Sequence, residues 1–180
     1  MRITGGEWAS RRLAGPGRLG GIRPTPDALR EQGFAVLAPR LAGASFLDLF
    51  AGTGANALEA LSRGAARVLL VERARPAAEL IRRNLATLGA GAGLARLVVA
   101  DADRAVVQLA GAGERCTVAW CDPPFDDWDA GPAALALARE HGLLPPGGWV
   151  VLELPPRREA SIAGFAPVRA LRGAVLLEVC

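Results

Sequence analysis

The chain has no lysine and no tyrosine, a single methionine, a single histidine and only three cysteines in 180 residues. Cys116, Cys121 and Cys180 are odd in number and lack metal-ligand spacing, so neither a disulfide framework nor a metal site is expected. Buried free thiols are the simpler reading of cysteines in apolar runs. No stretch of 18 residues is free of charge, which excludes a membrane-spanning helix. The opening MRITGGEWASRR has no apolar segment of the kind a secretory leader needs, so a soluble, cytoplasmic protein is expected. Disorder is excluded by 51% hydrophobic against 22% charged residues and a mean hydropathy of +0.25. A chain of 180 residues is one domain long and can bury roughly 70% of its unfolded surface.

All 21 basic residues are arginine, and Ala, Gly, Pro and Arg together make up 92 of the 180 residues. Such a bias reflects nucleotide composition, so an individual arginine carries little information. Their distribution carries more. Residues 1–40 hold seven arginines against Glu7, Asp27 and Glu31, a net of +4, whereas residues 41–180 hold fourteen against fifteen acids, a net of −1. A basic segment at one end points to a polyanion, because released counterions drive such binding without regard to sequence. A solvated charged terminus explains the same composition equally well.

Along the chain, residues 2–4 and 8–13 can pair as a hairpin around Gly5-Gly6, followed by a glycine-rich loop over 15–21. Thr25 reads as an N-cap with Pro26 at the first helical position, opening a helix through Leu37 that Pro39 stops. From residue 45 onward strands (45–50, 67–72, 96–100, 116–121, 148–154) alternate with helices (55–63, 76–88, 103–110, 132–141). The strand cores LLV, LVV and WVVLEL are near-continuous apolar runs, as a sheet covered on both faces requires. The expected fold class is therefore a doubly wound, Rossmann-like α/β domain. Strand-like runs at 166–171 and 174–179 are joined only by Arg172-Gly173, too short for a crossover helix, so they form an antiparallel hairpin. The seven-stranded, mostly parallel sheet that results is the arrangement of AdoMet-dependent methyltransferases.

Between the first strand and its helix lies Asp48-Leu49-Phe50-Ala51-Gly52-Thr53-Gly54-Ala55-Asn56-Ala57. Gly52-x-Gly54-x-x-Ala57 satisfies the dinucleotide fingerprint, and Glu72 at the end of the second strand stands where a ribose-binding acid belongs. The fingerprint alone does not separate NAD from AdoMet. Asp48 favours AdoMet, since a carboxylate at the mouth of strand one repels a pyrophosphate and attracts an ammonium. After the fourth strand comes Asp122-Pro123-Pro124-Phe125. Two prolines remove two N–H donors and hold the backbone extended, so this loop offers acceptors only. If Asp122 and the Pro123 carbonyl each accept an N–H of a base amine, the nitrogen turns its lone pair toward a methyl donor, and Phe125 stacks on the base.

The whole chain resembles the RsmD-type 16S rRNA (guanine-N2) methyltransferases. The resemblance rests on MRITGGEW, Arg23-Pro24-Thr25, DLFAGTGA, LEALSRGA, VERARPAAELIRRNL, DPPF and PPGGWVVLE. It implies methyl transfer from S-adenosyl-L-methionine to the N2 amine of a guanine in 16S rRNA, free or in an assembling small subunit. Asp48, Phe50, Gly52, Gly54, Glu72, Arg73, Asp101 and Ala102 would hold the cofactor. Asp122, Pro123, Pro124 and Phe125 would hold the guanine, and Arg11, Arg12, Arg23 and Thr25 would meet the RNA. Residues 1–40 become an RNA-binding appendage, 41–180 the methyltransferase domain, and the protein a monomer that needs neither metal nor membrane. The chain departs from the family at Glu7, where a basic residue is usual, at Ala9-Ser10, and at Asn56-Ala57, where Leu-Gly is usual.

Other single residues read more simply. His141 ends a helix, where a cation is favourable, Asn84 reads as structural, Trp149 fits a strand core, and Trp128 either flanks the base pocket or covers the next helix. An NAD(P)-dependent oxidoreductase would share the glycine loop and Glu72 but leaves Asp-Pro-Pro-Phe and the terminal hairpin without a role. An inactive RNA-binding scaffold would need neither loop. Adenine-N6 or protein-glutamine methylation is compatible with the same acceptor loop.

Overall fold

A computed structural model describes residues 1–17 and 26–180. The first helix, α1 (Asp27–Leu41), precedes an alternating series: β1 (Ser45–Leu49), α2 (Ala55–Ser62), β2 (Arg67–Val71), α3 (Arg75–Leu88), β3 (Ala95–Val98), α4 (Ala102–Gly111), β4 (Val118–Cys121), α5 (Ala130–Glu140) and β5 (Trp149–Glu153). A closing hairpin, β6 (Phe165–Leu171) and β7 (Ala174–Val179), completes a sheet of order β3-β2-β1-β4-β5-β7-β6. The first five strands are parallel, and β7 pairs antiparallel with both β5 and β6. Fold class and terminal hairpin thus follow the expectation, because buried parallel strands and a two-residue connection leave few alternatives.

Alternation along each strand divides the core. Phe46, Val68, Leu70, Val118, Trp120 and Val151 face α1, α2 and α3, whereas Leu47, Leu49, Val71, Val98, Cys121 and Leu152 face α4 and α5. From β1 the chain winds outward through β2 to β3 and then returns to β4 on the other side of β1. The crevice at the carboxyl ends of β1 and β4 is the topological switch point where open α/β sheets bind ligands. Among the described residues, no helix is long and apolar enough to cross a membrane.

Three expectations change. Pro39 does not stop α1, which runs on to Leu41. A proline this near the end forfeits only a terminal hydrogen bond, and burial of Leu37 and Leu41 holds the last turn in place. The N-terminal hairpin reduces to one bridge, Arg2 with Arg12, and bonds from Ile3, Ser10 and Leu13 N–H to the Arg11, Ile3 and Met1 carbonyls. The strands also end earlier than their apolar runs, so Phe50 and Glu72 belong to loops. Thr25 as a cap, with Arg23 and most of the 15–21 loop, lies outside the described residues.

Residues 1–17 and α1 share the core of the sheet. Ile3, Leu13, Leu29, Phe34 and Leu37 are buried in it, with Phe34 stacked on Trp120 at 5.3 Å. Arg30, counted above with the basic end, is fully buried. Its Nη2 donates to Asp27 Oδ1 at 2.6 Å and to the Arg2 carbonyl at 2.8 Å, and its Nε lies 3.6 Å from buried Glu59. Arg40 covers the Trp149 ring at 5.0 Å. Among the described residues of the basic end, Arg2, Arg11, Arg12 and Arg40 are exposed, and Arg30 is not.

Candidate active site

A cavity of about 1030 Å³ opens at the switch point. The turn after β1 forms its floor, the ends of β2 and β3 one wall, and Asp122–Asp127 with the start of α5 the other. Phe50 (φ 66°), Gly52 (φ 54°) and Gly54 (φ 77°) all adopt the left-handed region. Glycine does so without strain, whereas Phe50 needs its surroundings to hold it there.

Three side chains from three elements hold this turn. Glu72, past the end of β2, accepts the Gly52 N–H at 2.8 Å with Oε2 and the Ala74 N–H at 2.7 Å with Oε1. Asn84 on α3 donates to the Thr53 carbonyl at 2.9 Å. Asp48 on β1 accepts the Ala57 N–H at 3.0 Å. This last bond follows from register: Asp48 shares the α2 face of the sheet with Phe46, and its carboxyl meets one of the unpaired N–H groups in the first turn of α2. It thereby caps the helix from a distance.

The sequence placed Asp48 at the mouth of the strand as an open charge. In the structure it is 1% exposed and does not line the cavity. Burial pushes its pKa to about 8, the Ala57 bond opposing the rise and the Glu72 and Glu153 charges adding to it. Asp48 in the free protein is thus largely protonated at neutral pH. Its Oδ1 and the Oδ1 of Asn56 are buried oxygens without a hydrogen-bond partner among the described residues, and Asn56 lines the cavity. Gly54 also lies behind the cavity wall, whereas Phe50, Gly52, Glu72, Arg73, Asp101 and Ala102 line it. Exposed Arg73 spans the mouth, 4.0 Å from Asp101 and 3.7 Å from Asp127.

The acceptor loop is built differently. Asp122 N–H donates to the Leu49 carbonyl at 3.3 Å, extending the β1–β4 ladder by one rung. Pro123, Pro124 and Phe125 then leave the sheet along the cavity, and a 3-10 turn at Phe125–Asp127 closes with the Asp127 N–H on the Pro124 carbonyl at 3.0 Å. Pro123 packs on the start of α5 at Gly131, where a Cβ would stand 2.6 Å from the proline Cγ. Trp128, which the sequence left between two roles, is buried outside the cavity. Its indole N–H donates to the Glu153 carbonyl at 2.8 Å, and the Arg158 guanidinium lies 4.3 Å above its ring. It pins the loop to the end of β5. Phe125 is 36% exposed at the cavity, where its ring can stack on a planar partner.

Sequence reasoning read Asn84 as structural without naming its partners, noted Asn56 only as a departure from the family and left Trp128 between two roles. Of the three, Asn56 lines the cavity, and Asn84 and Trp128 support it from behind. For Asn84 a signal existed: it interrupts the apolar face Ala77, Ala78, Leu80, Ile81, Leu85 and Leu88 of α3. A polar side chain on such a face needs partners. Cys116, Cys121 and Cys180 do not line the cavity, and burial raises Cys116 to about 11 and Cys121 well above its ordinary value. Arg11 and Arg12 stay exposed on the arm, where Arg11 donates to the Thr87 carbonyl at the end of α3 at 3.0 Å.

Residues 1–173 match the family model described as Conserved hypothetical protein 95. The chain belongs to this family. Within it, the ribosomal RNA small subunit methyltransferase D of Escherichia coli (strain K12) is 45% identical over 167 residues, 93% of this chain and 78% of that protein. The protein of the same name from Haemophilus influenzae is 31% identical over 153 residues, 85% and 78% of the two chains. Among solved structures, a hypothetical protein of Thermus thermophilus superposes with a TM-score of 0.81 at 32% identity, covering all of this chain and 99% of its own. Family membership agrees with the resemblance that the opening, LEALSRGA and DPPF carry.

Proposed function

We propose that this chain transfers a methyl group from S-adenosyl-L-methionine to the exocyclic N2 amine of a guanine in small-subunit rRNA. One observation carries the reading: a single cavity joins the glycine turn to the Asp122–Phe125 loop, so a cofactor on one wall faces an amine on the other. Both walls come from one chain, and a monomer completes the site.

The residues fit the cofactor. Glu72 is oriented by two backbone N–H groups, and each of its oxygens keeps a second lone pair for the ribose hydroxyls. The unpartnered Oδ1 of Asn56, a residue that lines the cavity, is an acceptor suited to the ammonium of the methionine part, and the unpartnered Oδ1 of Asp48 is buried outside that lining. A cation there would return Asp48 to its carboxylate form. Asp101 and Ala102 border the adenine end. When bound, the cofactor supplies a sulfonium methyl.

Asp122 and the Pro123 carbonyl accept the two N–H bonds of the amine, the Pro124 carbonyl being taken by Asp127. The nitrogen lone pair is thereby aimed at the methyl, and Phe125 holds the base by stacking. A carboxylate cannot ionise a neutral aryl amine beforehand. Asp122 instead stabilises the positive charge that develops on nitrogen and accepts its proton once the methyl has arrived.

Incubation of the protein with methyl-labelled cofactor and 16S rRNA, free or as assembling subunits, followed by mass mapping of the nucleosides, tests this. N2-methylguanosine at one site is expected. N6-methyladenosine, or label in protein alone, would overturn the guanine assignment. An rRNA substrate makes the cytoplasm the place of reaction.

A further inference from the structure

The side chain of Asn84 is fully buried and makes three hydrogen bonds to the described residues. Its Oδ1 accepts the Ala14 N–H at 2.9 Å, and its Nδ2 donates to the Ala14 carbonyl at 3.1 Å and to the Thr53 carbonyl at 2.9 Å. These partners settle the amide's orientation, because turning it over would set its oxygen against two carbonyls. Ala14 belongs to the N-terminal arm. Thr53 lies between the two left-handed glycines of the turn and lines the cavity. The arm's other polar anchors lie away from the turn: Thr4 bonds both oxygens of Glu59 and Trp8 N–H bonds Ser62 Oγ on α2, Arg30 of α1 bonds the Arg2 carbonyl, and Arg11 bonds the Thr87 carbonyl at the end of α3. Among the described residues, Asn84 is the side chain that bonds both the arm and the turn directly.

We propose that Asn84 is a positioning residue through which RNA on the arm and cofactor in the cavity strengthen each other's binding. The inference rests on the function proposed above. The turn holds residues in sparsely populated conformations, so its cofactor-binding shape depends on outside anchors. RNA seated on the arm holds Ala14 against the Asn84 amide, and the amide holds the Thr53 carbonyl. The link is reciprocal, since any change RNA makes in cofactor affinity must appear as an equal change in RNA affinity.

The affinity of the full-length protein for S-adenosylhomocysteine, which cannot turn over, is measured by calorimetry with and without a saturating 16S rRNA transcript. The ratio of the two affinities is the readout; general weakening of the fold raises such a ratio, because each ligand stabilises the folded state for the other, and so does not imitate a loss of coupling. Wild type is expected to bind the product about 5-fold or more tighter with RNA, within the usual range of coupling between sites. Asn84→Ala should bring the ratio to one. Asn84→Asp retains the acceptor for the Ala14 N–H but sets an oxygen against both the Ala14 and the Thr53 carbonyls, so it should lose the coupling. A wild-type ratio of one, or an undiminished ratio in Asn84→Asp, would overturn the inference. Failure of wild type to bind either ligand alone would overturn the functional reading instead, and this inference with it.

Discussion

The two loops that face each other across the cavity are rigid for different reasons. The glycine turn gains its shape from distant side chains: Asp48 from below, Glu72 from β2 and Asn84 from α3, all buried and all bonded to backbone. The acceptor loop owes its shape to its own prolines, with Trp128 and Gly131 securing its far end. Covalent restriction by the prolines shapes this loop from within, and Asp122 and Phe125 line the cavity. Anchoring by side chains engages the anchors themselves. Residues of the glycine turn should therefore show mixed effects on binding and stability, and residues of the acceptor loop should show effects on turnover.

The sharpest contrast is expected at Asp122. Asp122→Ala should lower kcat by about 10³-fold, the scale seen when a group stabilising developing charge is removed, with cofactor affinity and melting temperature close to wild type. Asp122→Asn keeps an acceptor oxygen and should retain more activity than alanine. Near-wild-type rates for both in a tritiated-methyl transfer assay would erase the distinction between the loops. On the other side, Glu72→Ala removes two charge-assisted bonds worth about 1.5–3 kcal/mol each. It should weaken cofactor binding by calorimetry and lower the melting temperature together. A loss of binding with stability untouched would mean that Glu72 serves only the ligand.

A smaller effect is expected where Trp128 pins the acceptor loop. Trp128→Phe keeps a ring beneath Arg158 but leaves the Glu153 carbonyl without the indole donor, a loss of about 1–3 kcal/mol by denaturant unfolding. Asp48 adds a pH dependence. Its proton is held more tightly folded than unfolded, so its contribution to stability is complete below about pH 4 and declines as the pH rises toward 8. Asp48→Asn mimics the protonated form and should flatten that decline, most visibly in melting temperatures at pH 8. Unchanged pH profiles would return Asp48 to an ionised, solvated role. The smallest expected effect lies at the arm: replacing Arg11 and Arg12 should make the salt dependence of RNA binding shallower by about 0.7–0.9 per lost phosphate contact, with cofactor affinity unaltered.

Most of the fold was legible because its signals are local. Apolar runs of strand length, Gly64 and Gly89 closing helices, and a two-residue link before the last strand each restrict the chain without reference to distant residues. The position of the site was legible for a similar reason, since a doubly wound sheet has its crevice where the glycine turn leaves β1. Arg30 was misjudged because charge counting cannot see burial: next to Asp27 and Glu59 the same guanidinium becomes a core staple. Asp48 was misjudged because one residue of strand register decides whether a side chain meets the cavity or the base of α2.

What the sequence determined by itself was the set of chemically capable groups and their attachment to strand ends: a glycine turn, an acid after the second strand, and an acceptor-only loop after the fourth. Those follow from bond geometry, proline's missing donor and glycine's access to left-handed conformations. What only the tertiary structure decided was which of those groups face the cavity and which support it. Packing α2 over Asp48 turned an open charge into a buried helix cap, docking residues 1–17 on α2 and α3 made Asn84 a junction, and covering Trp128 assigned it to the loop's support. Burial sets the energy of every polar group. It is a property of all the neighbours at once, and no window of sequence contains them.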